Sequence, residues 1–343
     1  MEKARFKWVL RERNRKIAAK TEVFTEQQAR RVRSFHSSFK EYSPTPLIEL
    51  TSLAQHLGIK NLFVKDESYR FGLNAFKVLG GSFAIGSYIA NELGEDIDDL
   101  PYMRLVSDEV RSLLGSKTFI TTTDGNHGRG VAWTANRLKQ QAIVYMPQGS
   151  AAERLANIRA EGAQAEITDM NYDDTVRYTS ELAQKNGWII VQDTAWDGYT
   201  RIPLWIMQGY MTMALEAYEQ LPVKPTHIFL QAGVGSLAGS VQGFFADIYG
   251  SSCPLTFIVE PKGADCLYQT AAANDGSLHS VTGRLETIMA GLACGEPNSI
   301  AWEILGNLSD GFISCPDYTA AQGMRILGNP LAVSYTHLRA HET

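Results

Sequence analysis

The sequence predicts an α/β protein with two open, mostly parallel sheets carrying helices on both faces, a smaller domain being inserted in a larger one. Two patterns lead to this. Short runs rich in β-branched and aromatic residues, at 62–64, 118–121, 142–145, 188–191, 227–230 and 255–259, read as buried strands. Helix-like segments at 131–139, 151–160, 173–185, 205–219 and 237–248 lie between them, and strand–helix alternation implies parallel sheets covered on both sides. No fixed-period repeat or low-complexity tract interrupts the order. Boundaries are expected near 84–88 and between 204 and 225, where a helix runs into Leu221-Pro222-Val223-Lys224-Pro225. The chain then divides into the first part of a large domain (1–84), a small inserted domain (85–215), the second part of the large domain (216–330) and a tail (331–343). Ligands of such sheets sit at the C-terminal ends of strands, often between domains.

The 343 residues, 44% hydrophobic and 20% charged, have the balance of a globular protein able to bury more than one core. A net charge of −5 argues against nucleic acid or an anionic membrane as partner. The basic cluster of Arg11, Arg13, Arg15 and Lys16, with Lys20, reads as a solvated helix face. No stretch is apolar enough to span a bilayer, and Met1-Glu2-Lys3-Ala4-Arg5 lacks the apolar core of a signal peptide, so cytoplasm is the expected compartment. Cys253, Cys266, Cys294 and Cys315 show no metal-ligand spacing and are expected as free, mostly buried thiols. Whether Cys266 and Cys294 pair is left open by sequence alone.

Three motifs carry chemistry. In Asn74-Ala75-Phe76-Lys77-Val78-Leu79-Gly80-Gly81 a lysine enters an apolar helix pattern, where desolvation disfavours its charge and makes the amine nucleophilic. Gly80 and Gly81 would let the backbone pass close to a flat ring. Thr121-Thr122-Thr123-Asp124-Gly125-Asn126-His127-Gly128-Arg129-Gly130 follows a strand, and its amides and hydroxyls suit a carboxylate at a helix start; the plainer reading is a turn capped by Asp124, with His127 a satisfied buried histidine. Gln231-Ala232-Gly233-Val234-Gly235-Ser236-Leu237-Ala238-Gly239 also joins a strand to a helix, and such Gly-rich amides bind phosphate at the positive end of the helix dipole. Glu260, after the next strand, fits a ribose-binding carboxylate in a dinucleotide-binding alternative.

Lysine first, Asn loop next and Gly-rich loop well downstream is an order that resembles the fold type II pyridoxal 5′-phosphate (PLP) enzymes, the tryptophan-synthase-β group. The match is nearest to the diaminopropionate ammonia-lyase branch. Ser43-Pro44-Thr45-Pro46-Leu47 resembles the group's entry motif and Lys65-Asp66-Glu67-Ser68 its next strand. Asn74-Ala75-Phe76-Lys77 stands where many members have Ser-Phe-Lys, and Asp124-Gly125-Asn126-His127-Gly128 where dehydratases have Ser-Gly-Asn-His. Gln192-Asp193-Thr194-Ala195-Trp196 and Met289-Ala290-Gly291-Leu292-Ala293-Cys294-Gly295 are similar to the diaminopropionate branch. The resemblance runs from the N-terminal helix to Pro330.

It implies PLP held as a Schiff base on Lys77, which would also shuttle the Cα proton. Asn126 would hydrogen-bond the ring oxygen O3′, and Gly233, Val234, Gly235, Ser236 and Leu237 would hold the phosphate. Thr122, Thr123 and neighbouring amides would orient the carboxylate of a small amino-acid substrate. Asp124, the departure from ordinary dehydratases, would pair with the β-ammonium of 2,3-diaminopropionate or remove the Cα proton on the face opposite Lys77, which a D isomer needs. Asp193 would recognise the β-amine or protonate it on leaving. The implied activity is α,β-elimination of 2,3-diaminopropionate, L and D, to pyruvate and ammonia, by a homodimer without a metal. A serine/threonine dehydratase of the same fold is the alternative, since it would not need two carboxylates. After Gly328-Asn329-Pro330 the ending 331–343 departs from the family pattern and reads as a truncation or foreign read-through, which adds a catalytically silent protein of this fold as a further reading. An NAD-binding protein leaves Lys77 and Asn126 unexplained.

Overall fold

The computed structural model describes residues 6–12 and 21–328; Arg13, Arg15, Lys16 and Lys20 of the basic cluster and the ending from Asn329 lie outside them. Each apolar run and helix segment expected from the sequence falls on a strand or helix, with ends shifted by up to five residues, but of the 65–68 motif only Lys65 is strand and Glu67 opens a 3-10 helix. The strands are β1 (Lys7–Leu10), β2 (Leu47–Glu49), β3 (Phe63–Lys65), β4 (Thr118–Thr122), β5 (Gln141–Met146), β6 (Gln164–Ile167), β7 (Ile189–Ile190), β8 (His227–Gln231), β9 (Leu255–Pro261) and β10 (Gly311–Cys315). One sheet, in the order β6-β5-β4-β7, is parallel throughout. The other, β1-β10-β9-β8, is parallel except for β1. The 62–64 run belongs to neither: β3 pairs with β2 in a separate antiparallel ribbon.

β4 is central and buried on both faces through Phe119, Ile120, Thr121 and Thr122, as a strand between two helical layers must be. In the second sheet Leu230, Ile258 and Phe312 face the helices Ser236–Tyr249 and Ser299–Leu308 and form a core with them. Trp8, Leu10, Phe229 and Leu255 lie on the other face and are exposed.

The helix Lys77–Leu93 lies between the helices Asn126–Arg137 and Arg201–Gln220. The approach is close enough to demand glycine: a Cβ on Gly209 would stand 2.4 Å from the Leu79 carbonyl oxygen. Gly80 and Gly81 serve the same packing. A Cβ on Gly80 would meet Ile206 and Tyr210 at 2.7 Å, and one on Gly81 would touch Val131, so these glycines admit neighbouring helices instead of a flat ring. The boundary expected at 84–88 falls inside the Lys77–Leu93 helix, so a division there cuts a continuous element.

A buried ion cluster ties the entry segment to this layer. Arg70, fully buried, donates to both carboxylate oxygens of Glu216 at 2.9 and 2.7 Å and to Glu67. Lys65 Nζ lies 2.8 Å from Glu216, and the Tyr42 hydroxyl and Thr45 amide donate to the same carboxylate. The motifs at 43–47 and 65–68 thus lock the chain onto the Arg201–Gln220 helix.

Candidate active site

Lys77 is the first residue of its helix, reached through Asn74 at φ 59°, a left-handed conformation that asparagine tolerates. Its Nζ donates to Asp193 Oδ2 at 2.8 Å. Asp193 follows β7 and is 5% exposed. Burial opposes charge on both partners, yet Lys77 and His127 hold the Asp193 carboxyl down to about 2, and Asp193 holds Lys77 above the ordinary lysine value. Desolvation alone favours the neutral amine; the buried carboxylate outweighs it, so the pair favours an ammonium.

His127 is buried, and its Nε2 donates to the Val191 carbonyl at 2.7 Å. Its Nδ1 has no hydrogen-bond partner and lies 4.0 Å from Asp193 Oδ2, so the ring is satisfied on one side only. Burial, with Lys77 nearby, depresses its basicity despite Asp193. Among the described residues no cluster could hold a metal ion.

The Asn loop leaves β4 and enters the helix Asn126–Arg137 with Gly125, not Asp124, at the cap position. Asp124 accepts instead from Arg154 Nη1, at 3.3 Å to Oδ2. Thr122 and Thr123 lie behind the loop and do not border the cavity. The Thr122 hydroxyl bonds with Thr175 and Thr179 and ties β4 to the helix Tyr172–Asn186, while Thr123 Oγ1 accepts from the Gly125 amide and shapes the turn.

The Gly-rich loop follows β8 and opens the helix Ser236–Tyr249. Gly235 sits at φ 100°, a conformation that requires glycine, and a Cβ there would press on Leu267, Ala301 and Leu305 at 3.2–3.3 Å. The first-turn amides of Ser236 and Leu237 have no intrahelical acceptor. The Ser236 hydroxyl is committed elsewhere: it donates to the Asp193 carbonyl and accepts from Asn298 Nδ2 at 2.8 Å. Loop and lysine line one cavity of about 300 Å³, shared with Phe76, Asp124, Asn126, Asp193 and Tyr210. Glu260 lies away from it, accepting from the amides of Leu267 and Tyr268 at 2.9 and 2.7 Å, and caps the helix Cys266–Ala273 where a ribose ligand was the alternative. All four cysteines are free, Cys266 and Cys294 included.

Sequence reasoning missed Tyr210, Asn298 and Arg154. Tyr210 repeats the apolar pattern of its helix and cannot be told from core; Asn298 and Arg154 reach the site from distant segments that carry no motif. The whole arrangement fits PLP: an amine for its aldehyde, and a 14-residue helix opening with glycine-bared amides for its phosphate.

A model of the pyridoxal-phosphate dependent enzyme family matches residues 39–331. The diaminopropionate ammonia-lyase of Escherichia coli is 53% identical over 312 residues, covering 90% of this chain and 77% of that one. A crystal structure of diaminopropionate ammonia-lyase from Escherichia coli in complex with D-serine matches with a TM-score of 0.86 and 50% identity, covering 95% of this chain and 81% of that one. Threonine deaminase isoform 2 of Solanum lycopersicum shares the fold, at a TM-score of 0.72 and 20% identity over 93% of this chain and 81% of that one. The chain belongs to the pyridoxal-phosphate dependent enzymes and, within them, to the diaminopropionate ammonia-lyases.

Proposed function

We propose that the Lys77 cavity carries out the α,β-elimination of 2,3-diaminopropionate, in both L and D forms, to pyruvate and ammonia. The observation that carries this reading is one amine and two carboxylates on one cavity: Lys77 paired with Asp193 at 2.8 Å, and Asp124 lining the same space. When bound, PLP supplies the sink for the electron pair left at Cα as its C–H bond breaks. Lys77 would hold its aldehyde carbon, Asn126 its ring oxygen, and the Gly233–Leu237 amides its phosphate. Lys77 Nζ takes the Cα proton of the L isomer and Asp124 that of the D isomer, from opposite faces. Asp193 pairs with the β-ammonium and keeps that nitrogen protonated, so it leaves as ammonia. With the hydroxyls of Thr122 and Thr123 and the amides of Thr123 and Gly125 engaged within the protein, the turn amides of Asp124 and Asn126 receive the substrate carboxylate. The Phe76 and Tyr210 rings, edge to face at 5.1 Å, wall the cavity against water. In the same proposal the cavity lies between the inserted domain, residues 85–215, and the large domain, and the enzyme works as a cytoplasmic homodimer.

Borohydride trapping followed by peptide mapping tests the assignment, with the label expected on Lys77; a label on any other lysine refutes it. Turnover of diaminopropionate is expected to exceed that of serine and threonine. Faster serine turnover would make the chain a dehydratase.

A further inference from the structure

We propose that Arg154 is a positioning residue for Asp124, holding that carboxylate in the orientation from which it takes the Cα proton of the D isomer. The inference rests on the assignment of Asp124 as the D-side base. Arg154 lies in the first turn of the helix Ala152–Ala160, on the segment after β5, while Asp124 follows β4. One nitrogen, Nη1, reaches both the carbonyl oxygen of Asp124 at 3.1 Å and its carboxylate Oδ2 at 3.3 Å. A donor shared between backbone and side chain of one residue fixes that side chain's rotation about its first bond. Only about a quarter of either side chain is exposed, so this pair is shielded more than a surface ion pair.

The stem of Arg154 is placed as closely as its head. A Cβ on Gly125 would stand 3.1 Å from Arg154 Cδ, so the aliphatic part lies against the glycine and any side chain there would push the guanidinium away. Gly125 thereby has a use besides the turn.

Asp124 borders both the Lys77 cavity and a larger neighbouring groove, whereas Arg154 borders only the groove. The cation therefore stands behind the carboxylate. Asp193 is the opposite case: its cation, Lys77, lies in the cavity and takes part in the chemistry. A guanidinium is suited to the rear position because it stays charged throughout and its planar donors orient a carboxylate. In the step it supports, the Cα–H bond of the D isomer breaks, an O–H bond forms on Asp124, and the electron pair remains with the substrate carbon.

The test is the turnover of D- and L-diaminopropionate by the holoenzyme of Arg154→Met, Arg154→Lys and Asp124→Asn. Arg154→Met keeps the stem and removes the charge; its kcat for the D isomer is expected to fall roughly ten- to a hundredfold, less than the roughly 10²–10⁴ that the general base itself contributes. Its kcat for the L isomer is expected to change no more than about threefold, which also reports that the variant folds. Arg154→Lys restores part of the D rate, having charge without the planar donors. In a crystal structure of Arg154→Met the Asp124 carboxylate is expected to have turned from its present orientation. Equal loss for both isomers, or a rise in KM for both with kcat kept, overturns the proposal and makes Arg154 a structural or carboxylate-binding residue. If Asp124→Asn abolishes D turnover while Arg154→Met leaves it intact, the Arg154 role alone falls. If Asp124→Asn spares D turnover, the base assignment falls and this inference with it.

Discussion

Glu216→Gln is the substitution whose cost the structure lets one work through. Glu216 is 2% exposed and accepts from Arg70, Lys65, Tyr42 and Thr45. Burial pushes its carboxyl up, but Arg70 and Lys65 bring it down to about 2 from an ordinary 4.5. At 1.36 kcal/mol per pH unit that difference is worth about 3 kcal/mol of stability. The folded value lies below the unfolded one, so this contribution is complete above pH 4.5 and is lost as the pH falls through about 2. Glutamine keeps the shape and removes the charge, leaving Arg70 and Lys65 buried without it, a loss of about 3–5 kcal/mol for a broken buried pair. Urea unfolding followed by tryptophan fluorescence is expected to show a gap of at least about 3 kcal/mol between wild type and variant at pH 7. At pH 3 the gap shrinks by about 2 kcal/mol, because the wild-type carboxylate then takes up a proton almost completely on unfolding. The reasoning fails if the gap is the same at both pH values, or is below about 1 kcal/mol at pH 7. Because the Glu216 helix packs on the Lys77 helix, PLP affinity is expected to fall in parallel.

Three other perturbations separate packing, titration and site support. Gly209→Ala forces a methyl against the Leu79 carbonyl oxygen, and thermal unfolding should register a loss at or above the usual 1–3 kcal/mol for overpacking; an unchanged melting temperature would show that the helices can part. His36 is buried between Thr212 and the Leu79 carbonyl, and burial pushes its imidazole down to about 3. The unfolded chain therefore takes up a proton that the folded one refuses: stability present above about pH 6.5 is lost toward pH 3 at roughly 1.4 kcal/mol per unit, and His36→Gln should flatten that slope in pH-dependent unfolding. Asn298 caps the helix Ser299–Leu308 through Oδ1 and holds Ser236 through Nδ2. Asn298→Ala should cost about 1–2 kcal/mol as a lost cap, whereas Asn298→Asp should keep the cap and still weaken PLP binding; a variant that binds PLP normally would disconnect Ser236 from the site.

The sequence made visible whatever carried a local signal. β5 and β9 announce themselves by short runs of β-branched and aromatic residues, and Lys77, Asn126 and the Gly233 loop by residues clustered within a few positions. The strands that escaped notice had weak patterns for physical reasons. β6 is an edge strand whose Gln164 and Glu166 face solvent, β1 is almost wholly exposed, and β10 dilutes its apolar run with Gly311 and Ser314. The same limit governs the site. Arg154 meets Asp124 from thirty residues away, and Asn298 reaches Ser236 across a still longer separation, so neither contact exists until the sheet is folded. Lys77 shows the converse: its position was legible, but its charge state was not, because that depends on Asp193, 116 residues downstream.

The unequal partners of the two carboxylates point to where selectivity for an amine leaving group resides. Asp193 has a full cation beside it only while Lys77 is a free ammonium. To take the Cα proton Lys77 must be a neutral amine, which leaves a buried carboxylate short of a cation at a cost of several kcal/mol, and a substrate ammonium at the β position restores the balance. A serine hydroxyl brings no charge and leaves Asp193 undercompensated. Asp124 keeps Arg154 whatever the substrate, so it gains less from a charged β-substituent and remains available to accept a proton. Asp193→Asn is therefore expected to lower the ratio of kcat/KM for L-diaminopropionate over L-serine by about tenfold or more, the worth of one charge-assisted hydrogen bond. Asp124→Asn is expected to change that ratio far less. Steady-state kinetics on the two variants decides the matter: a ratio that survives Asp193→Asn but collapses in Asp124→Asn would reverse the roles of the two residues.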